Sequence, residues 1–219
     1  MSRVVVFGVG RIAELAHFYL EHDSPHQVVG FAVDGEYLTD RQFRGLPVAA
    51  FEEVADTFPP DAAEMLIPIS FRRMNHVRAD RVAAAKEAGY HLISYVSSKA
   101  TVFPDFHCGE NCFILEDNTI QPFVEIGDDV ILWSGNHIGH HSVIGDHVMV
   151  TSQVVISGGC TIEPHCFLGV NSTIRDEATI GRETLVGAGV TILRDTEPYS
   201  VYRAPDPKLA RRRSDELPF

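Results

Sequence analysis

Basic residues are scarce in this chain: 18 Lys and Arg stand against 30 Asp and Glu, a net charge of −12 over 219 residues. That balance argues against a continuous phosphate-tracking surface, so no nucleic-acid partner is expected, although an anionic nucleotide can still bind locally. Long apolar runs are missing too. The run within MSRVVVFGVG is short and has no cleavage-site pattern, and no stretch approaches the roughly 18 apolar residues of a membrane span. The expectation is a cytoplasmic protein without membrane insertion. Cysteine is sparse: Cys108, Cys112, Cys160 and Cys166 lack paired metal-finger spacing and read as packed thiols in a reducing compartment. What remains is ordinary globular composition, 45% hydrophobic and 22% charged, enough for one large domain or two small ones.

The first hundred residues alternate strand-like and helix-like segments. RVVVFGV is a β-branched run that meets Gly8 and Gly10, and IAELAHFYLEH follows with helical periodicity. QVVGFAVD ends at Asp34 and AEMLIPIS ends at Ser70. The helix-like RADRVAAAKEAGY then precedes HLISYV. The alternation implies a small parallel sheet.

From about residue 100 a six-residue rhythm replaces helical spacing. Stepping by six from Val102 to Ile192 meets an apolar residue at all sixteen positions, among them Cys108, Ile126, Ile138, Leu168 and Ile180. Chance would produce this with a probability on the order of 10⁻⁶, so it is a repeat. Glycine follows the aliphatic position at Gly109, Gly127, Gly139, Gly145, Gly169, Gly181 and Gly187, as tight corners require. The rhythm suits a parallel β-helix with one hexapeptide per face and about 18 residues per coil.

With segments such as VEIGDDV and HHSVIGDHVMV, the rhythm resembles the left-handed β-helix of hexapeptide acyltransferases. Handedness comes from that resemblance, because a left-handed parallel crossover runs against the usual rule. FGVGRIAE at the start, YVSSKATVFPD at the join and NHIGHHSVIGD beyond it extend the likeness to nearly the whole chain. It resembles the sialic-acid O-acetyltransferase type of sugar acyltransferase, the group of the bacillosamine and perosamine N-acetyltransferases. The resemblance implies a Rossmann-like domain over residues 1–97 that holds a nucleotide-linked sugar. It implies a left-handed β-helix over 98–219 that forms a homotrimer and binds acetyl-CoA between subunits. The implied activity is N- or O-acetyl transfer to that sugar, in surface-glycan synthesis.

Acyl transfer from a thioester needs a base near neutral pKa and donors for the tetrahedral oxyanion. His137, His140 and His141 cluster in NHIGHHS, and the base position implied by the resemblance, five residues before Gly145, falls on His140. His141, the second candidate, stands where relatives often carry a carboxylate that orients the base. One coil on, Gly158 should stack beside His140 and offer its N–H to the thioester carbonyl. Trp133 replaces the asparagine of many relatives and suggests an indole either stacked on the acceptor sugar or packed at a subunit interface. The resemblance places coenzyme contacts at Met149, Gly158, Val170 and Ala188, and Lys208 of the tail YRAPDPKLARRR is available to the coenzyme phosphates.

In the first domain Gly8, Gly10 and Ala13 form G-x-G-x-x-A after a strand, and Asp34 ends the next strand as a ribose-binding acid would. Alone this suggests NAD, but the domain is short for a two-halved dinucleotide fold, and the family uses the turn for a nucleotide sugar. Arg11 and Ser70 complete the implied substrate set. His147 and His165, 18 apart, raise a metal site, although two histidines without supporting ligands are more often solvated, and no metal is expected. Two rivals stand beside the acetyltransferase. One is a zinc hydratase like the γ-class carbonic anhydrases, whose five-residue histidine pair is missing here. The other is a non-catalytic scaffold that binds a nucleotide sugar.

Overall fold

The computed structural model describes residues 2–206. Strand β1 (Arg3–Phe7) alternates its side chains between two cores. Val4 and Val6 face Ala13, Ala16 and Leu20 of helix α1 (Arg11–Asp23), while Val5 and Phe7 face Val82 and Ala85 on the other side. The three helical residues recur at the spacing of one helix face, which is why α1 lies on the sheet. Strand β2 (Gln27–Val33), β3 (Gln42–Phe43), β4 (Leu46–Ala50), the short α2 (Val54–Thr57), β5 (Glu64–Leu66) and α3 (His76–Glu87) follow. The sheet order is β3-β4-β2-β1-β5.

β4, β2, β1 and β5 are parallel as the alternation requires, and β3 adds an antiparallel edge through a hairpin whose short strands give little periodic signal. The strand expected in HLISYV is divided. Leu92 bridges to Met65 of β5, whereas β6 (Tyr95–Val96) pairs with Phe113–Ile114 and opens the repeat.

The repeat builds a three-sided parallel prism from two-residue strands, and it fits a left-handed β-helix. The first face stacks Phe113–Ile114, Ile131–Leu132, Met149–Val150, Phe167–Leu168 and Leu185–Val186. The second stacks Thr119–Ile120, His137–Ile138, Val155–Ile156, Thr173–Ile174 and Thr191–Ile192. The third stacks Glu125–Ile126, Val143–Ile144, Thr161–Ile162 and Thr179–Ile180. Each strand pairs with residues 18 away, as Leu132 does with Val150. The second residue of every strand points inward, so the six-step aliphatics from Ile114 to Ile192 form one core, with Val102 and Cys108 left at its open end.

The corner glycines serve close approach and not left-handed φ. A Cβ on Gly139 would lie 2.5 Å from the Gly158 nitrogen of the next coil. The left-handed positions two residues later belong to Asp129, His141, His147, His165 and their equivalents.

The α/β layer docks on the first face, where Phe113, Ile131 and Met149 point outward into the core of Val4, Val6 and Leu66. It also grips the corner between the third and first faces. Arg78 and Asp129, both 0% exposed, pair at 2.8 Å. Arg78 Nη2 donates to the carbonyls of Asp129 at 2.9 Å and His147 at 3.1 Å. Asn75 Nδ2 donates to the carbonyls of His165 and Cys166. The four cysteines are free thiols.

Candidate functional site

The carboxyl ends of β1, β2 and β5 meet where strand order reverses about β1, the place at which open α/β sheets form ligand crevices. A cleft of about 450 Å³ lies there, lined among others by Gly8, Gly10, Arg11, Asp34 and Ser70. All five residues assigned to substrate in this domain therefore converge. Gly8 has φ +110°, and a Cβ there would stand 3.4 Å from that of Ala13, so the glycine permits both the turn and the close helix contact. Gly10 is the N-cap of α1, whose free N–H groups favour an anion. Asp34 is already ion-paired: Arg81 Nε stands 2.8 Å from Oδ1 and Nη2 donates to Oδ2 at 3.1 Å. Arg72, two residues beyond Ser70 in the loop after β5, and Tyr37, in the turn after β2, also line the cleft, and no motif in the sequence singles out either.

A second cleft, about 340 Å³, opens at the corner between the second and third prism faces. Its lining is His140, His141, Gly158, Gly159, Asp176 and Glu177. Three successive coils supply these residues, so the 18-residue stacking is what assembles the site. His140 is exposed, its backbone N–H donates to Gln121 Oε1 at 2.9 Å, and its carbonyl accepts from Gly159 N at 2.8 Å. The corner is therefore fixed while the ring stays accessible. The ring lies against Gly158, where an added Cβ would be 2.6 Å from Cε1 and 2.9 Å from Nε2. Its Nδ1 stands 3.1 Å from Nδ1 of His141.

Gly158 thus sits where the repeat places it, but its N–H already donates to Asp176 Oδ1 at 3.2 Å. Asp176, Glu177, Gln121 and the exposed Phe123 are members of this corner that sequence reasoning missed. Three of them were reachable by arithmetic, since Asp176 is Gly158 plus one coil, Glu177 is Gly159 plus one, and Phe123 is His141 minus one.

Other assigned residues lie elsewhere. Met149 is corrected as a coenzyme contact: its side chain points from the first face into the core shared with the α/β layer and is only 4% exposed. Trp133 sits at the end of the first face, half-buried against that same core, with its indole N–H buried and unpartnered. It does not join His140 within the chain. Val170 and Ala188 are exposed one coil apart at the corner between the first and second faces, across the second face from His140. Lys208 lies outside the described residues. His147 and His165 do lie side by side, with ring centroids 4.6 Å apart, but His147 Nδ1 is bonded to Asp129 at 2.8 Å and the pair belongs to the corner that the α/β layer grips.

Residues 107–194 match the family described as bacterial transferase hexapeptide (six repeats), in segments 107–140, 124–158 and 159–194. Over the larger part of its length the chain superposes on PerB from Caulobacter crescentus in complex with CoA and GDP-perosamine. That match has a TM-score of 0.80 and 22% identity, and covers 92% of this chain and 93% of the other. The acetyltransferase domain of PglB from Neisseria gonorrhoeae, in complex with acetyl coenzyme A, matches with a TM-score of 0.75 and 19% identity over 89% of this chain and 92% of that one. WeeI from Acinetobacter baumannii matches with a TM-score of 0.72 and 19% identity, covering 92% and 96%. At these identities the likeness is one of fold.

Among curated proteins, acyl-[acyl-carrier-protein]–UDP-N-acetylglucosamine O-acyltransferase of Paracoccus denitrificans is 29% identical over 80 residues, 36% of this chain. The match spans 31% of that relative's length. Among the described residues no helix is long and apolar enough to cross a membrane.

Proposed function

We propose that the protein transfers an acetyl group from acetyl-CoA to an amine or hydroxyl of a nucleotide-linked sugar, with His140 as general base. The observation that carries this reading is the corner cleft itself. It presents an open imidazole on a glycine backbone, on a hexapeptide prism whose fold is shared with proteins solved with CoA, acetyl-CoA and GDP-perosamine. In this account residues 1–97 form a Rossmann-like domain that binds the nucleotide in the cleft of Gly8, Gly10, Arg11, Asp34 and Ser70. Arg11 and Arg72 face its phosphates. Residues 98–219 form the left-handed β-helix that binds the coenzyme.

His140 Nε2 accepts the proton of the attacking amine or hydroxyl as the new bond to the acyl carbon forms. The tetrahedral oxyanion takes the Gly158 N–H from Asp176. Collapse breaks the C–S bond, and the imidazolium returns its proton to the departing thiolate. No acyl-enzyme forms. Base catalysis of this kind typically supplies roughly 10²- to 10⁴-fold in rate.

The two clefts lie on opposite sides of the prism, because the α/β layer covers the first face and His140 projects from the corner opposite it. The sugar held by one chain therefore meets His140 of another copy. The same holds for the coenzyme contacts, since Val170 and Ala188 sit at a different corner from His140. A homotrimer, the assembly the family resemblance implies, juxtaposes these corners in a closed ring.

Thiol release from acetyl-CoA against a panel of nucleotide-linked amino- and deoxysugars tests the proposal. Release with at least one acceptor, abolished by His140→Asn, is the expected result. Silence across the panel with acetyl-CoA and nucleotide sugar both bound would favour a binding scaffold and refute the catalytic reading.

A further inference from the structure

We propose that His141 is the positioning residue of this site and that it fixes the tautomer of His140 through a hydrogen shared between the two rings. The inference rests on the acyl-transfer reading above and adds what replaces the missing carboxylate. Its basis is the 3.1 Å separation of the two Nδ1 atoms. Two ring nitrogens facing each other at that distance share one hydrogen, since two would collide and none would leave lone pairs opposed.

If the shared hydrogen belongs to His140, its Nε2 is a free base aimed at the acceptor. If it belongs to His141, neutral His140 must carry its own hydrogen on Nε2, and the base is lost. The productive form is therefore His140 protonated on Nδ1 and His141 on Nε2.

The surroundings hold His141 for this task. Its backbone is left-handed, with φ 59°, and its ring packs on Phe123 with centroids 4.7 Å apart. Phe123 is itself left-handed at φ 67° and 73% exposed, a costly arrangement for a bulky aromatic. The two rings of the pair meet at 84°. The other polar groups facing the pair are Gln121, whose Oε1 accepts from the His140 backbone, and Asp176 and Glu177 across the cleft. Asp176 is bonded to Gly158 N. Among the described residues, His141 is thus the only side chain bonded to the His140 ring.

In catalysis the acceptor's proton moves to His140 Nε2 and the pair becomes a single cation that keeps its bridging hydrogen. That proton then passes to the coenzyme thiolate, restoring the neutral pair.

The experiment combines imidazole ¹⁵N–¹H spectra of the intact protein with kinetics of position-141 variants. At pH 8 the spectra should show His140 protonated on Nδ1 and His141 on Nε2. His141→Asn, whose amide oxygen accepts the same bond and whose side chain suits left-handed backbone, should keep kcat within about 3-fold. His141→Leu should lower kcat about 10- to 100-fold with both KM values nearly unchanged. His140 protonated on Nε2 at pH 8, or a His141→Leu variant with wild-type kcat, would overturn the proposal. Absence of transfer by the wild-type protein would refute the acyl-transfer reading, and the tautomer spectra would still decide the pairing.

Discussion

The ring of His140 rests on the backbone of Gly158 so closely that a methyl group there would stand 2.6 Å from Cε1. Gly158 is outside the left-handed region, so alanine costs the backbone nothing and the imidazole itself must move. Gly158→Ala is expected to leave thermal stability nearly intact while lowering kcat about 10- to 100-fold, since displacing a base by a fraction of an ångström forfeits much of its contribution. Equal losses in melting temperature and in activity would show that the glycine serves folding alone.

The grip between the two layers is the second measurable feature. Arg78→Met strands the fully buried Asp129 carboxylate, which keeps Asn111 Nδ2 at 2.7 Å and His147 Nδ1 at 2.8 Å as partners. Breaking a buried pair costs roughly 3–5 kcal/mol, and the surviving partners put this case near the lower end. Urea unfolding should register that loss. Arg78→Met combined with Asp129→Asn should recover part of it, since no unpaired charge is then buried.

A pH dependence follows from the histidines of the same corner. Burial, and then the neighbouring His147 and His76, hold His165 below the ordinary histidine value of 6.5. The unfolded chain therefore takes up a proton at a pH where folded His165 is still neutral. Stability falls as pH drops below about 6.5 and levels once the folded imidazole also protonates. Urea midpoints at pH 7.5 and 5.5 should differ in the wild type and differ less in His165→Asn, a residue that suits φ 63°. Asp23 works in a lower window. Hydrogen bonds from Ser98 first, then Tyr95, hold its carboxyl well below the usual carboxylate range. Its contribution is complete above about pH 4 and is lost only in stronger acid.

The prism was legible because each inward aliphatic, from Ile114 to Ile192, recurs without a gap, and strand pairing at 18 residues follows from three six-residue faces. His140 and Gly158 were legible for the same reason, since a coil length converts sequence distance into contact. The resemblance alone places Met149 at the coenzyme, and the repeat gives the register of an outward position but not what covers it. Only the docked α/β layer reveals that the first face is buried on both sides. Asp34 lines the crevice, yet its pairing with Arg81 joins positions 47 apart on different elements, and no local pattern encodes that. The hairpin of β3 and β4 escaped notice because Gln42–Phe43 is too short for alternation to register.

Complementation between inactive subunits tests the central claim most directly, namely acetyl transfer at a site shared by the nucleotide cleft of one copy and His140 of another. Ser70→Trp fills the nucleotide cleft, and His140→Asn removes the base, so each variant alone should release no thiol. Co-assembled in equal amounts, they should recover about a quarter of wild-type activity, because a cyclic interface with random mixing pairs an intact cleft with an intact base in about one junction of four. No recovery in mixed oligomers that bind both substrates would contradict the shared site, and with it the account of how this chain works.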